Sequence, residues 1–335
     1  MSNGAIRYST WKRRSVSVSA VVVALVVLVP SLLVLVPVAA IYDLARRRNL
    51  PTVRMLLLGV CYLAWEVVAI TASAVLWLAT GFGRFAGTGW SLRAHRRLQA
   101  RWVNSILRLA ATLLHLRLEV VGADLLAPGP IVVLCRHASM VDTLIPAKLL
   151  FDAGLDVRYV LKTELAWDPA LDIIGHRLPN HFVDRSGSNT AAEVDSLERL
   201  ARGAGASDAV VIFPEGTRWT PAKHERAVAR LIETDPALGA RAALRRFTMP
   251  PRPAGTLAVL EGAPDADVLI LSYTGLEGLA GPADALRLVP FSHPVKVNLR
   301  RLPRSQIPAT VSERVEWLND QWATVDTWIA ENYAP

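Results

Sequence analysis

The sequence predicts an α/β fold, a mixed and largely parallel sheet flanked by helices, preceded by an N-terminal hydrophobic membrane hairpin. Two observations carry this expectation. From about Trp102 onward, short Val/Ile/Leu runs alternate with longer helical stretches, and before it two long apolar runs follow one another. Strands are expected at 116–121, 130–135, 157–161, 181–184, 209–213, 267–273 and 295–300. Helices are expected near 140–151, 187–202, 222–233 and 237–246, with a last one at 311–332. Such alternation implies parallel strands covered on both faces, with reactive residues at their C-terminal ends. Residues 203–207 read as a loop and 250–253 as a rigid turn.

The hairpin rests on composition. Of 335 residues, 52% are hydrophobic and 20% charged, and the mean hydropathy is +0.30. These values exclude intrinsic disorder and disfavour an ordinary soluble enzyme. Ser15 to Tyr42 carries no charged side chain; as a helix it would reach roughly 42 Å against a hydrocarbon core of about 30 Å. It exceeds a secretory h-region, contains Pro30 and Pro37, and is followed by a second run at 55–83, so it is expected to be retained. The net charge of +8 is unevenly spread: residues 1–105 hold thirteen Lys/Arg against Asp43 and Glu66, leaving the remainder slightly acidic. A basic hairpin at 1–105 and a second domain at 106–335 follow. The N-terminus, the linker with Arg46, Arg47, Arg48 and Arg54, and the segment with Arg84, Arg93, Arg96 and Arg97 are all basic. Two geometries accommodate that pattern: a hairpin dipping from the cytoplasmic face, or two full spans with a basic outer loop. Glu66 then reads as an interfacial or Arg-paired residue. Cys61 and Cys135 read as small buried hydrophobes.

Two constellations carry chemistry. At the end of the 130–135 strand, His137 is followed five residues later by Asp142. Alone, that spacing is common; as a pair it suits a general-base histidine whose other ring nitrogen needs a partner to fix its tautomer. Five residues turn about 500° on a helix, so the pair requires His137 in a turn and Asp142 in the first helical turn. After the 209–213 strand stands Phe213-Pro214-Glu215-Gly216-Thr217-Arg218. A strand ending in a Pro/Gly turn explains Pro214 and Gly216 alone. The glycine permits close backbone approach to a ligand, and the arginine offers a planar fork of donors suited to phosphate.

On these residues the sequence resembles the glycerolipid acyltransferases that convert lysophosphatidic acid to phosphatidic acid. His137 and Asp142 match their H-x4-D motif. Lys162-Thr163-Glu164-Leu165 with Phe182-Val183-Asp184-Arg185 resembles their second block, and Phe213 to Arg218 matches FPEGTR without departure. Lys223-His224-Glu225, and Arg300 to Pro303 before Ile307-Pro308, look closest to the lysocardiolipin acyltransferase-like branch. The resemblance covers about residues 115–333. Departures are Arg136 where Asn is frequent, Thr143 where that branch often has Trp, and no proline in 267–273.

The resemblance implies an O-acyltransferase of phospholipid biosynthesis or remodelling, without metal, cofactor or covalent acyl-enzyme. His137 would take the proton of an acceptor hydroxyl, which attacks the thioester of acyl-CoA or an acyl carrier protein, and Asp142 would orient the histidine. Backbone N–H groups near a helix start would meet the oxyanion. Arg218, Arg185 and Lys162 would hold the acceptor phosphate, while Glu215, Gly216 and Thr217 shape the site. For Lys162 and Arg185 taken singly, a surface or ion-pair role is equally compatible. The implied partners are a lysophospholipid, the acyl donor and anionic membrane phospholipids, with the catalytic domain on the cytoplasmic face. Ser139 lacks a G-x-S-x-G elbow, and no P-loop, metal spacing or dinucleotide fingerprint occurs. The slightly acidic second domain argues against nucleic acid despite a pI near 9.9. Trp317, Trp322 and Trp328 read as a packing stripe, and His224 as structural. Alternatives remain: a tafazzin-type transacylase, a glycolipid acceptor, and a non-catalytic membrane-anchored lipid-binding protein.

Overall fold

The computed structural model describes residues 3–183, 190–279 and 281–333. In chain order its main elements begin α1 (Asn3–Ala45), α2 (Pro51–Ala79), α3 (Gly89–Leu114), β1 (Leu118–Val121), β2 (Ile131–Cys135), α4 (Leu144–Asp152) and β3 (Asp156–Lys162). There follow α5 (Pro169–Gly175), β4 (His181–Val183), α6 (Thr190–Ala201), β5 (Asp208–Ile212), α7 (Pro221–Thr234) and α8 (Pro236–Ala243). The chain closes with α9 (Pro253–Gly262), β6 (Asp267–Thr274), α10 (Pro282–Leu288), β7 (Val295–Leu302) and α11 (Val311–Asn332). Two compact units result. The first comprises Met1–Leu116, Leu161–Arg185 and Val289–Ser292; the second comprises Arg117–Val160, Ser186–Leu288 and His293–Pro335. The compositional boundary at 105/106 falls inside α3, whose C-terminal half packs with the apolar helices before it.

In the first unit the two apolar runs become α1 and α2, paired as a hairpin across residues 46–50. Both are long and apolar enough to cross a membrane, and Val26, Leu33 and Ile41 on α1 stand exposed. The helix runs on through Pro30 and Pro37, each of which removes one backbone hydrogen bond. At the start of α2, Leu50 offers no capping side chain. Asp43 supplies the cap from α1 instead, accepting from Thr52 N at 2.9 Å and Thr52 Oγ1 at 2.7 Å.

Glu66 corrects an expectation. It is fully buried, and among the described residues it pairs with no arginine: it accepts from Trp102 Nε1 at 2.9 Å and from the backbone N–H of Ala170 at 3.0 Å. A carboxylate inside an apolar helix is tolerated because α3 and α5 bring donors to it. On α5, buried Asp172 takes Arg13 and Arg14, each at 2.8 Å. Burial opposes its ionisation, but hydrogen bonds from His176 and Arg14 and the charges of both arginines hold its carboxyl down at about 2.

The second unit is the expected mixed, largely parallel sheet. Its strands take the order β1-β7-β6-β2-β5-β3. β1 with β7, β6 with β2, β2 with β5 and β5 with β3 run parallel, and β6 with β7 antiparallel. Central β2 and β5 are buried at every position, as strands covered on both faces must be. α9 packs on β2 and β5, and α11 on β6 and α9.

Most boundaries fall within two residues of expectation. α11 coincides with 311–332, since Thr310 and Glu313 form a capping box. Its Trp322 is fully buried, the packing role expected of that stripe. β4 ends at Val183, and Asp184 with 187–189 of the expected helix lies outside the described residues. Helix 140–151 begins only at Leu144, because the preceding residues close a turn around Asp142. α9 was not anticipated: Pro253, the end of the expected rigid turn, is its first residue, where a proline's missing N–H costs nothing.

The tightest helix contact in this unit is at Gly262 of α9. A Cβ there would fall inside the carbonyl oxygen of Glu198 on α6 and lie 2.9 Å from the Ala201 Cβ. Gly262→Ala is therefore expected to destabilise by roughly 1–3 kcal/mol, read as a lowered thermal midpoint in detergent. Gly203→Ala, whose nearest neighbour is an arginine side-chain atom at 3.5 Å, is expected to stay within about 0.5 kcal/mol of the parent.

Candidate active site

Strand register decides what meets what. Cys135 of β2 stands opposite Leu271 of β6, and Leu134 opposite Ile212 of β5, all three strands running parallel. The residues just beyond these points emerge side by side at the C-terminal end of the sheet. They are His137 after β2, Phe213 to Arg218 after β5, and Tyr273 near the end of β6.

His137 sits in the turn after β2, as the motif requires. Asp142 lies in that same turn, two residues ahead of α4, not in its first helical turn. Its Oδ2 accepts from Ala138 N at 2.8 Å and Ser139 N at 2.9 Å, so the carboxylate closes the turn on its own backbone. The same oxygen lies 2.9 Å from His137 Nδ1 and accepts from the Tyr273 hydroxyl at 2.5 Å. An ionised carboxylate can only accept, so His137 carries its hydrogen on Nδ1 and leaves the lone pair on Nε2. The ring packs on Phe213, centroids 4.8 Å apart, with the side chain about one-fifth exposed. A base with its tautomer fixed and one nitrogen reachable is what proton abstraction needs.

Glu215 braces this arrangement from β5. It is buried, and its two oxygens accept from His137 N and Met249 N, both at 2.9 Å. Burial pushes its carboxyl up to about 7, against the charge of Arg136 and the two backbone donors. Gly216 has φ 66°, the left-handed region, where a side chain would strain the turn. Thr217 and Arg218 are half-buried, and Lys223 Nζ lies 3.4 Å from both Thr217 Oγ1 and the Arg218 carbonyl oxygen. Trp219 N donates to the His137 carbonyl at 2.7 Å, so the two motifs hold each other through backbone on both sides.

Arg136, the departure from the family's frequent Asn, is a fully buried strut. Its guanidinium donates to the carbonyls of Tyr273 and Phe247, each at 2.7 Å, and to Glu277 at 2.5 Å. It also lies over the Tyr273 ring, 5.4 Å from the centroid. Glu277 is held below the usual carboxylate range, the charge and hydrogen bond of Arg136 outweighing burial.

Residues 117–253 match the acyltransferase family model. Over that span the chain is similar to acyltransferases. It is 26% identical over 217 residues to the 1-acyl-sn-glycerol-3-phosphate acyltransferase epsilon of Mus musculus, across 61% of this chain and 58% of that relative's length. The chain thus spans less than two thirds of the relative it matches. It also aligns with the solved 1-acyl-sn-glycerophosphate (LPA) acyltransferase, PlsC, from Thermotoga maritima, with 14% identity, TM-score 0.46, and coverage of 82% of this chain and 97% of that one.

Within the second unit, the structure brings His137, Asp142, Glu215, Gly216, Thr217 and Arg218 to one place. Lys162 belongs to the first unit, where its ammonium pairs with Glu164 at 2.6 Å. Arg185 lies outside the described residues. Sequence reasoning missed Tyr273, which stands beyond the matched span, and saw Arg136 only as a departure. An aromatic hydroxyl near the end of a buried strand was the available signal for the first.

The state of Glu215 gives a pH test. Its folded carboxyl titrates near 7 against an ordinary 4.5, so the folded protein binds the extra proton between those values. Stability from this group is complete below about 4.5 and is lost as pH rises toward 7, on the order of 1–3 kcal/mol. Glu215→Gln is expected to flatten that part of the curve of unfolding free energy against pH. An unchanged slope between pH 5 and 7 would contradict it.

Proposed function

We propose that the protein is an O-acyltransferase moving a fatty acyl group from a thioester, acyl-CoA or acyl carrier protein, to the free hydroxyl of a lysophospholipid. Lysophosphatidic acid is the acceptor that fits best, giving phosphatidic acid. The observation carrying this reading is the His137–Asp142 pair, with Nδ1 tied to a fourfold-bonded carboxylate oxygen and Nε2 left as the base.

The chemistry follows from that pair. Nε2 takes the acceptor's hydroxyl proton as its oxygen attacks the thioester carbonyl. The tetrahedral intermediate collapses with cleavage of the C–S bond, and the imidazolium returns the proton to the departing thiolate. Asp142 keeps the ring in register and balances the transient positive charge. The guanidinium of Arg218, on the loop whose neighbour Trp219 is tied to His137, is suited to the acceptor phosphate; Lys162 and Arg185 are assigned the same task by resemblance. The acidic loop neighbour Glu215 is engaged with backbone and serves as a brace.

Membrane attachment through α1 and α2 fits a lipid acceptor. The basic residues around them support anionic phospholipid as partner and the cytoplasmic face as the side on which the enzyme works.

Purified protein should be offered labelled acyl-CoA, acyl carrier protein thioester or donor phospholipid, each against a panel of lysolipid acceptors. Transfer from a thioester to lysophosphatidic acid is expected. His137→Ala is expected to lower kcat by about 10²–10⁴-fold, and Arg218→Ala to raise KM for the phosphate-bearing acceptor more than it lowers kcat. Full activity in the His137 variant would sink the mechanism, and transfer from phospholipid alone would identify a transacylase.

A further inference from the structure

The residue the motifs leave out is Tyr273. Its hydroxyl makes two hydrogen bonds, both into the His137 turn: it accepts from Ala138 N at 2.9 Å and donates to Asp142 Oδ2 at 2.5 Å. An ionised carboxylate can only accept, so the phenol's one hydrogen lies toward Asp142 Oδ2, and the Ala138 N–H is shared between the phenol oxygen and that same carboxylate oxygen. The side chain is 1% exposed and its ring is clamped by Arg136, which also binds the Tyr273 carbonyl. Tyr273 therefore reaches Asp142 from β6, an element independent of the turn that holds His137.

We propose that Tyr273 is a positioning residue of the acyl transfer, whose hydroxyl fixes the Asp142 carboxylate against His137 and takes up part of its negative charge, thereby setting how readily Nε2 accepts a proton. The proposal rests on the acyltransferase reading for its consequence in catalysis, while the effect on the histidine stands without it. Among the described residues, Oδ2 is the Asp142 oxygen that takes these hydrogen bonds. Every unit of its charge drawn toward the phenol is unavailable to stabilise the imidazolium, so the phenol trades basicity for geometry.

The surrounding groups support the assignment. Burial, then the negative charge of Asp142, holds the Tyr273 phenol protonated well above its ordinary range, so it stays a donor. Among the described residues, the other titratable groups facing this cluster are Arg136 with its partner Glu277, Glu215 on the His137 backbone, and Cys135 and Tyr159, both kept protonated by burial. None of these five donates from its side chain to Asp142 Oδ2.

The test reads His137 directly. Its modification by diethyl pyrocarbonate, which reacts with neutral imidazole, is followed across pH on the peptide containing residue 137, in the full-length protein and in Tyr273→Phe. The variant removes the donor but keeps the ring. Its modification midpoint is expected to move to higher pH by about one unit, and the rising limb of kcat against pH to move with it while KM changes little. A folded variant with the midpoint unmoved, or moved down, overturns the proposal, since a purely structural tyrosine would alter stability alone. Where Tyr273→Phe fails to fold, site-specific 3-fluorotyrosine at 273 keeps the hydroxyl and makes it a stronger donor; the midpoint must then move down, and any other result overturns the proposal. Because modification needs no acyl donor, a shifted midpoint in a protein without acyl transfer would sink the proposed activity and leave the role of Tyr273 in place.

Discussion

One oxygen atom organises the site. Asp142 Oδ2 receives the backbone N–H groups of Ala138 and Ser139, the Tyr273 hydroxyl and His137 Nδ1, all within 2.5–2.9 Å. Hydrogen bonds to a charged acceptor are each worth about 1.5–3 kcal/mol, and here they also oppose the cost of burying a carboxylate. The geometry admits little slack, since the two backbone donors come from the very turn that carries the histidine. If Asp142 moved, the turn would open and Nε2 would lose its aim.

That atom can gather four donors only because the sheet delivers them. β2 lies between β6 and β5, parallel to both, and β6 runs three residues beyond the partner of Cys135, which brings Tyr273 level with the His137 turn. A one-residue slip of β6 against β2 would turn Tyr273 to the opposite face, away from Asp142. Both β2 and β5 are buried along their whole length, as strands covered on two faces are. Glu215 and Trp219 then tie the β5 loop to both sides of the His137 backbone. The His137 turn is held from β5 and β6 by different groups, which lets the partly exposed imidazole keep its orientation.

How much of this was legible in the sequence depends on whether a residue's role is local. The strands were readable because burial on two faces leaves continuous apolar runs, and α11 because Thr310 and Glu313 write its start in two letters. His137 and Asp142 were readable as a spaced pair, and 213–218 as a string. The helical placing of Asp142 was wrong for a physical reason: a carboxylate that accepts the N–H groups three and four residues before it makes a turn and delays the helix to Leu144. Tyr273 and Glu66 were opaque because their meaning lies in partners 131 and 36 residues away, and no local pattern encodes such distances.

The basic excess of the N-terminal third shows the same limit in charge. Counted along the chain it reads as one property, an affinity for anionic surfaces. In the folded first unit it separates into two populations. Arg13 and Arg14 are consumed by Asp172, and Arg54 by the carbonyl oxygens of Asn49 and Leu113, so these three fasten helices to one another. Arg93, Arg97 and Arg101 instead recur every fourth residue along α3 and are exposed, while His95, Leu98 and Trp102 turn inward. Four-residue spacing places side chains on one helical face, so a stripe on α3 contributes to the long-range field of this unit, as do the exposed linker arginines at 46–48 and exposed Lys12, Arg84 and Arg108. Net charge counts both populations alike, but exposed charge dominates the field outside the protein.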